Sequence, residues 1–496
     1  MRLGIDFGTT RTVVAAARDG RHPIAAFDVG GEFTEYVPGL AALVDGQLVV
    51  GWEAARVIGD GTATHAVRSI KRVASTLAPD AIVPGLPGIT ALGLWTTFLT
   101  ELRIALEERS NLEVTGPLEA MVAVPANASS RQRFLTLEAF RRAGFTPIGM
   151  LNEPTAAAIE FAHRHLAAIG PRSPKKYVVV YDLGGGTFDT SAVSLEGKRF
   201  ELIATEGIAR LGGDDFDELI LHAAQIAAGR EPFTDAAGLE RAREAKESLR
   251  PASKKLLVDL GDGPGEPGTV QIDTTELYAR CAPLVEQTIA LTEQVLAGLD
   301  ALDDPRALGG IYLVGGAAAF PAVARVLRAR FGKKLQLAPQ PAAATAIGLA
   351  LAADPDESVM VREATTRHFG VWREGESGAD KIFDRLIAKD AGAGTVVRRY
   401  RPTHTVGHLR FIECGKLDRA GQPVQDLVPL ADVYFPYTAE LADREDLADL
   451  PAERRALPAA DEIAETYTYS DTGAISVRIE NRSRGYTRTY DLGALR

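Results

Sequence analysis

At 496 residues, with 46% hydrophobic side chains and ordinary glycine and proline counts, the chain is long enough for about three domains, each with a buried core. Its 66 acidic residues outnumber 55 basic ones, a net charge of −11 with the basic residues scattered, which argues against a nucleic-acid or anionic-membrane surface. Only Cys281 and Cys414 are present, too few for a disulfide framework or a paired-cysteine metal site. No apolar run reaches the roughly 18 to 20 residues that span a bilayer, and the first residues are strand-forming rather than a signal peptide. A cytoplasmic protein is expected.

The chain opens MRLGIDFGTTRT, where Leu3 and Ile5 lead into Asp6 and then Gly8, Thr9 and Thr10. This reads as a strand, a tight turn and a second strand. Short strands continue through a turn at Asp19-Gly20, Tyr36-Val37-Pro38 and Leu48 to Gly51, a β-meander, and a helical stretch follows at Glu53 to Ile58. Lys71 sits in VRSIKRV, where local sequence alone describes a solvated lysine. Thr96 to Glu108 is an amphipathic helix with Phe98, Leu99, Leu102 and Leu106 on one face. Ala120 to Val124 is a buried strand stopped by Pro125. Ser129 and Ser130 supply N-cap chemistry for a helix from Arg131 to Ala143, ended by Gly144. In MLNEPTAAA the strand ends near Leu151 and a small-residue helix starts after Pro154, so Glu153 is held at a strand-to-helix corner. That carboxylate suits either a catalytic site or a first-turn helix dipole.

Val178 to Thr190, VVVYDLGGGTFDT, repeats the opening pattern: a hydrophobic strand, Asp182, the glycines 184 to 186, then Thr187, Phe188 and Asp189. Consecutive glycines let backbone N–H groups converge on an anion, because φ can turn positive and no Cβ blocks the approach. Two such hairpins far apart in sequence suggest two similar lobes closing on one nucleotide. Leu211 to Asp217, LGGDDFD, is a further glycine turn into a helix. Helices are expected over Gly238 to Arg250 and Pro283 to Leu299, and the strand Ile311 to Val314 runs into Gly315-Gly316 before a helix from Pro321 to Phe331. The last of these has the shape that lets a nucleoside approach the backbone. The pattern changes after Ala353: a polar stretch, Asp354 to Ser358, precedes the apolar Val359 to Val361. Beyond it short β segments dominate: His408 to Glu413, Asp432 to Tyr437, Glu465 to Ser470, Ala474 to Glu480 and Tyr486 to Leu492. A turn at Asp471-Thr472-Gly473 and an acidic loop from Glu440 to Asp461 separate them. These form a separate all-β domain.

IDFGTTRT, VRSIKRV, VPANASSRQR, LNEPTAAAIEF, YDLGGGTFDTS, LGGDDFD and YLVGGAAAFP stand in that order in the chain. In this the chain resembles the seventy-kilodalton heat-shock (DnaK-type) chaperones of the actin-like ATPase superfamily, strongly over residues 1 to 352 and more weakly in its last strands. The resemblance implies a two-lobed α/β actin-like ATPase domain with ribonuclease H-like repeats over 1–353, a linker over 354–363, and a β-sandwich-like substrate-binding domain over 364–496 without the helical lid. It implies ATP or ADP as ligand with Mg2+, and K+ as a further candidate ion. Carried over by position, Lys71, Glu153, Asp182, Thr187 and Asp6 form the catalytic set, and Asp6, Glu153, Asp182 (mainly through water) and Asp189 hold the metal. The nucleotide set is Gly8, Thr9, Thr10, Arg11, Gly184, Gly185, Gly186, Thr187, Gly212, Gly213, Lys246, Arg250, Gly315, Gly316 and Ala317. Pro125, Arg133 and Pro154 fall where the family relays nucleotide state to the substrate domain. Val359 to Val361 reads equally as a remnant of the family's linker or as an ordinary strand.

The adenosine pocket departs from the family pattern: Arg243 stands in place of an acid, Arg250 of a serine, and Ala319 of the arginine that stacks on adenine. Losing one such stack costs on the order of 1 kcal/mol, and Arg250 is the candidate to replace it. The span between Lys71 and Pro125 is short for the family. The reading is an ATP-hydrolysing, chaperone-like protein that couples nucleotide state to an unfolded or specific client, with a co-chaperone or exchange factor as a further partner, and neither nucleic acid nor membrane. The alternative is a nucleotide-sensing adaptor with little turnover that binds one folded partner; a sugar kinase on the same fold ranks third. His163 with His165, and His404 with His408, lack an evident third ligand and read as structural or solvated.

Overall fold

The computed structural model describes the chain except residues 166–173, 196–198, 262–267, 301–304, 358, 363–364, 366, 376–379, 390, 426, 455–461, 471–472 and 494–496. The turn expected at 471–472, the end of the acidic loop and parts of the expected linker therefore lie outside the described residues. The chain divides into two compact units: Met1–Pro125 with Ala139–Arg362, and Ala126–Glu138 with Glu363–Arg496.

The first unit contains the same sheet twice. In one copy, strand Arg2–Phe7 turns back antiparallel on Arg11–Ala17 and pairs on its other side, in parallel, with Glu119–Val124, which pairs in parallel with Thr146–Asn152. In the other, Tyr177–Leu183 turns back on Phe188–Ser194 and pairs in parallel with Leu308–Val314, which pairs with Leu335–Leu337. The parallel strands read as continuous apolar runs because both faces are covered, and Leu3, Ile5, Val178, Val179 and Val180 are at most 1% exposed. Helices Glu153–His165 and Ala344–Ala353 are rich in alanine because they pack backbone to backbone. A Cβ on Gly348 would stand 1.8 Å from the Ala156 carbonyl oxygen, and one on Gly4 2.2 Å from the Ala350 nitrogen.

Most expected elements are present with shifted ends. The helix expected from Thr96 begins at Ala91, where Thr90 Oγ1 accepts from the Gly93 amide at 3.1 Å. That expected over 238–250 is Ala236–Ser248, with Asp235 accepting from Gly238 at 2.7 Å. The helix expected to start at Pro283 runs Thr274–Asp300 with the proline inside it. Asp273 caps this helix by accepting from the amides of Thr275 and Glu276, so the start signal lies nine residues earlier than the proline suggests. Met360–Arg362 is a strand, paired in parallel with Arg199–Ile208 at the edge of the second sheet. This strand belongs to the first unit's sheet and does not open the β-rich unit.

The second unit has two four-stranded antiparallel sheets. One is ordered Lys381–Ile387, His368–Glu374, Val406–Cys414, Val428–Pro436; the other is Gly394–Tyr400, Ile463–Tyr469, Ile475–Asn481, Tyr486–Asp491. Inward side chains of both, among them Val371, Phe411, Phe435, Tyr467 and Val477, form one core. The three strands between 368 and 400 were not anticipated: charged residues interrupt their apolar alternation. Residues Ala126–Glu138 also group here, although the sequence reading placed them within the 1–353 domain. Ser130 donates its amide and its hydroxyl to Glu413, the hydroxyl at 2.6 Å, and Arg131 donates to the Leu430 carbonyl at 2.6 Å.

Candidate functional site

The repeated hairpins put one carboxylate at the end of each first strand, Asp6 opposite Val13 and Asp182 opposite Asp189. Their glycine turns meet. A Cβ on Gly185 would stand 2.0 Å from Thr10 Oγ1, one on Gly8 2.3 Å from the Arg11 carbonyl, and one on Gly212 2.6 Å from the Gly186 nitrogen. Gly213 and Asp214 donate to the carbonyls of Gly184 and Gly185 at 2.9 and 2.6 Å, tying the LGGDDFD turn to the triple glycine. Gly315 has φ +90°, and a Cβ there would meet Asp182 Oδ1 and the Leu183 carbonyl at 2.4 Å. Only glycine fits these positions, so the turns present peptide groups there rather than side chains. Gly8, Thr9, Thr10, Gly184, Gly185, Gly186, Gly212 and Gly213 thus belong to interlocked turns.

Lys71 and Glu153 meet beside the aspartates. Lys71 is 3% exposed, contrary to its local reading as solvated, and its Nζ donates to Glu153 Oε1 at 2.5 Å. Glu153 stands at the expected corner, first residue of its helix after strand Thr146–Asn152, with Pro154 next. Burial and the neighbouring Glu153 carboxylate push Asp6 up to about 7, partly offset by Lys71, and the same causes push Asp189 up to about 7. Asp182 is raised well above the carboxylate range by burial, then by Glu153, Asp6 and Asp189. Four carboxylates facing one lysine are short of positive charge, and hard oxygen donors of this kind suit Mg2+, which would reverse those shifts. Among the described residues no three acidic, histidine or cysteine side chains lie close enough to hold an ion.

Next to the glycine turns lies a crevice of about 290 Å³ lined by Thr10, Arg11, Gly185, Gly213, Lys246, Arg250, Gly316, Ala317 and Ala319. Lys246 Nζ donates to the Gly213 carbonyl at 2.8 Å and pairs with Asp217 at 2.6 Å. Arg250 donates to the carbonyls of Glu247, Ser248 and Leu249, closing the end of helix Ala236–Ser248. Arg243 pairs with Glu240, and Arg11 with Glu247 while stacking 4.1 Å over the Tyr36 ring. Glu247, Asp217 and Asp214 were not picked out from sequence, although LGGDDFD and the charged helix contain them. Thr187 accepts the Gly184 amide at its carbonyl, 3.0 Å away, inside the hairpin turn.

Pro125 closes a segment of the first unit, whereas Arg133 is buried in the second, beside Gly473. His163 faces Glu357 at 3.6 Å and His404 faces Glu374 at 3.4 Å. No helix among the described residues is long and apolar enough to cross a membrane.

A family model described as "Hsp70 protein" matches residues 90–363. The chain is 32% identical over 376 residues to "Chaperone protein HscA homolog" of Chromobacterium violaceum, covering 71% of this chain and 58% of that protein. It is 31% identical over 398 residues to "Chaperone protein HscA" of Edwardsiella ictaluri (75% and 62%), and 33% over 374 residues to the HscA homolog of Azoarcus sp. (71% and 58%). The chain thus spans about three fifths of the length of these curated relatives.

Proposed function

This chain belongs to the Hsp70 family, whose members are ATPases that bind ATP or ADP with Mg2+, and on that premise we propose that it binds and hydrolyses ATP in the crevice between its two glycine hairpins and couples nucleotide state to client binding by its β-rich unit. The observation that carries the reading is the Lys71–Glu153 pair at 2.5 Å, set beside the two repeated Asp-and-glycine hairpins. Phosphoryl transfer to water needs neutralised charge and a positioned nucleophile more than covalent help. The peptide N–H groups of Gly8 to Thr10 and Gly184 to Gly186 take the phosphates, and Lys246 serves the ribose side. Lys71 lies beside the terminal phosphate and orients the attacking water, while Glu153 accepts its hydrogen bond and fixes where the ammonium points. Asp6, Glu153, Asp182 and Asp189 would hold hydrated Mg2+, which would supply charge neutralisation on the phosphates. Arg11 and Ala317 flank the nucleotide. Thr187 faces the same phosphates. Pro125, Arg133 and Pro154 relay the nucleotide state, and the partners are a client protein and a co-chaperone or exchange factor.

The test is single-turnover ATP hydrolysis by wild type and Lys71→Ala, with ATP binding to both measured by calorimetry. Wild type is expected to hydrolyse, and the variant to bind within severalfold of wild-type affinity while losing on the order of 100-fold or more in rate. One observation favours the adaptor reading: Lys246, Arg243 and Arg250 are all engaged by protein groups, and Ala319 offers no cation to the base. Wild type that binds ATP without turning it over would establish that reading instead.

A further inference from the structure

Lys71 lies on the short helix Ile70–Ala74, and the residue just before that helix, Ser69, has φ +57° and ψ +54°. Among the described residues only Asp19, Asp45 and Ser69 combine a side chain with a positive φ. The two aspartates precede glycine in turns, where that conformation is tolerated. Ser69 is different: it is 1% exposed and no glycine follows it. A strained backbone persists only where its surroundings over-determine it.

Those surroundings come from the LGGDDFD turn, which is tied to the second hairpin, and from that hairpin itself. Ser69 Oγ donates to Asp214 Oδ2 at 2.9 Å, and Arg72 reaches the same oxygen at 3.4 Å and the Gly186 carbonyl at 3.3 Å. Arg68 lies 3.7 Å from Asp214 and bonds Glu240 at 3.0 Å. Asp214 is itself anchored through its amide to the Gly185 carbonyl. From the first hairpin's side, the buried Trp95 Nε1 donates to the Ile70 carbonyl at 3.3 Å. The peptide carrying Lys71 is therefore held on one side by its own lobe and on the other by the triple-glycine turn.

We propose that Ser69, through its hydroxyl bond to Asp214, is a positioning residue that sets Lys71 against Glu153 only while the second hairpin is closed, so that lobe closure is read out as hydrolysis. This rests on the reading of Lys71 as the residue that orients the attacking water. Opening the crevice carries Asp214 away with the Gly184–Gly186 turn, releases Ser69 from its left-handed conformation, and lets Lys71 move off its position against Glu153. Such a displacement is enough to lower the rate without removing any group that touches nucleotide.

The experiment compares full-length wild type, Ser69→Gly, Asp214→Ala, Asp214→Asn, Ser69→Gly/Asp214→Ala and Lys71→Ala in single-turnover hydrolysis, with Mg·ATP affinity by calorimetry and thermal melting of each. Ser69→Gly removes the hydroxyl and relaxes the backbone, so a purely structural Ser69 predicts full rate and an equal or higher melting temperature. The positioning role predicts about a tenfold slower rate with affinity within about threefold, the same for Asp214→Ala, and a double variant no slower than the slower single. Asp214→Asn, which keeps an oxygen for the hydroxyl, retains most of the rate. Wild-type rates in Ser69→Gly and Asp214→Ala alongside a slow Lys71→Ala would overturn the proposal and leave the Lys71 reading standing. Asp214→Asn as slow as Asp214→Ala would reject the hydroxyl bond as the link. A Lys71→Ala that hydrolyses like wild type would remove the premise and the proposal together.

Discussion

Lys71 is the residue whose surroundings differ most from its local sequence. In VRSIKRV it reads as one more surface lysine, yet it is 3% exposed and bonded to Glu153 beside three aspartates. A buried ion pair is not a net source of stability, but removing one partner leaves the other uncompensated. Lys71→Ala is therefore expected to destabilise the nucleotide-free protein by about 3 kcal/mol, with Lys71→Ala/Glu153→Ala less destabilised than the sum of its singles. Urea denaturation of the three variants checks this; strictly additive losses would mean that the two side chains do not act as a pair.

At the scale of elements, the β-rich unit is held by a buried polar network as well as by its apolar core. Glu465, fully buried, accepts from Arg373, Tyr400 and Tyr467. Arg373 also reaches Asp384 at 2.8 Å, and Asp384 takes Arg398 at 3.0 Å, linking strands of the two sheets. Although burial pushes the Asp384 carboxyl up, its bonds from Arg398 and Arg373 outweigh that and hold it below the ordinary value. The folded state therefore binds fewer protons than the unfolded state in that window, and stability falls as the medium is acidified. The contribution is fully present above the unfolded value near 4 and is lost as pH drops through the lower folded value. The protection factors for hydrogen exchange in strand Lys381–Ile387, corrected for the intrinsic rate, are expected to fall below about pH 4. Asp384→Asn, at a cost of about 1–3 kcal/mol, flattens that dependence. An unchanged acid profile in the variant would assign the effect to other carboxylates.

For the whole molecule, a ligand that binds only the native first unit stabilises it by mass action, about 2.7 kcal/mol at a hundred times its dissociation constant. Mg·ATP is expected to slow hydrogen exchange in strands Arg2–Phe7 and Tyr177–Leu183. If nucleotide state is relayed to the β-rich unit, exchange in Val406–Cys414 and Val428–Pro436 changes with it. Protection confined to the first unit would reject that coupling while leaving nucleotide binding intact.

Much of the site was legible in order along the chain. The Asp-and-glycine hairpins, Glu153 at its corner and the turn into helix at LGGDDFD depend on local rules: glycine where φ must turn positive or a Cβ cannot fit, proline where a helix begins, alternation where a strand has two faces. Such rules act over a few residues, so sequence alone determined the elements, the repeated hairpin and the family resemblance. It misjudged the helix containing Pro283, because the cap at Asp273 outweighs a proline that the interior of a helix can accommodate. It overlooked the strands between residues 368 and 400, whose Arg373 and Asp384 look like surface charges until they pair with each other and with Arg398 and Glu465. Only tertiary structure decided that Lys71 is buried, that Ser69 leans on Asp214 145 residues away, and that Arg250 closes a helix end. Each depends on which distant group supplies the opposite charge or hydrogen bond, and burying a polar side chain is tolerated only once that partner is in place.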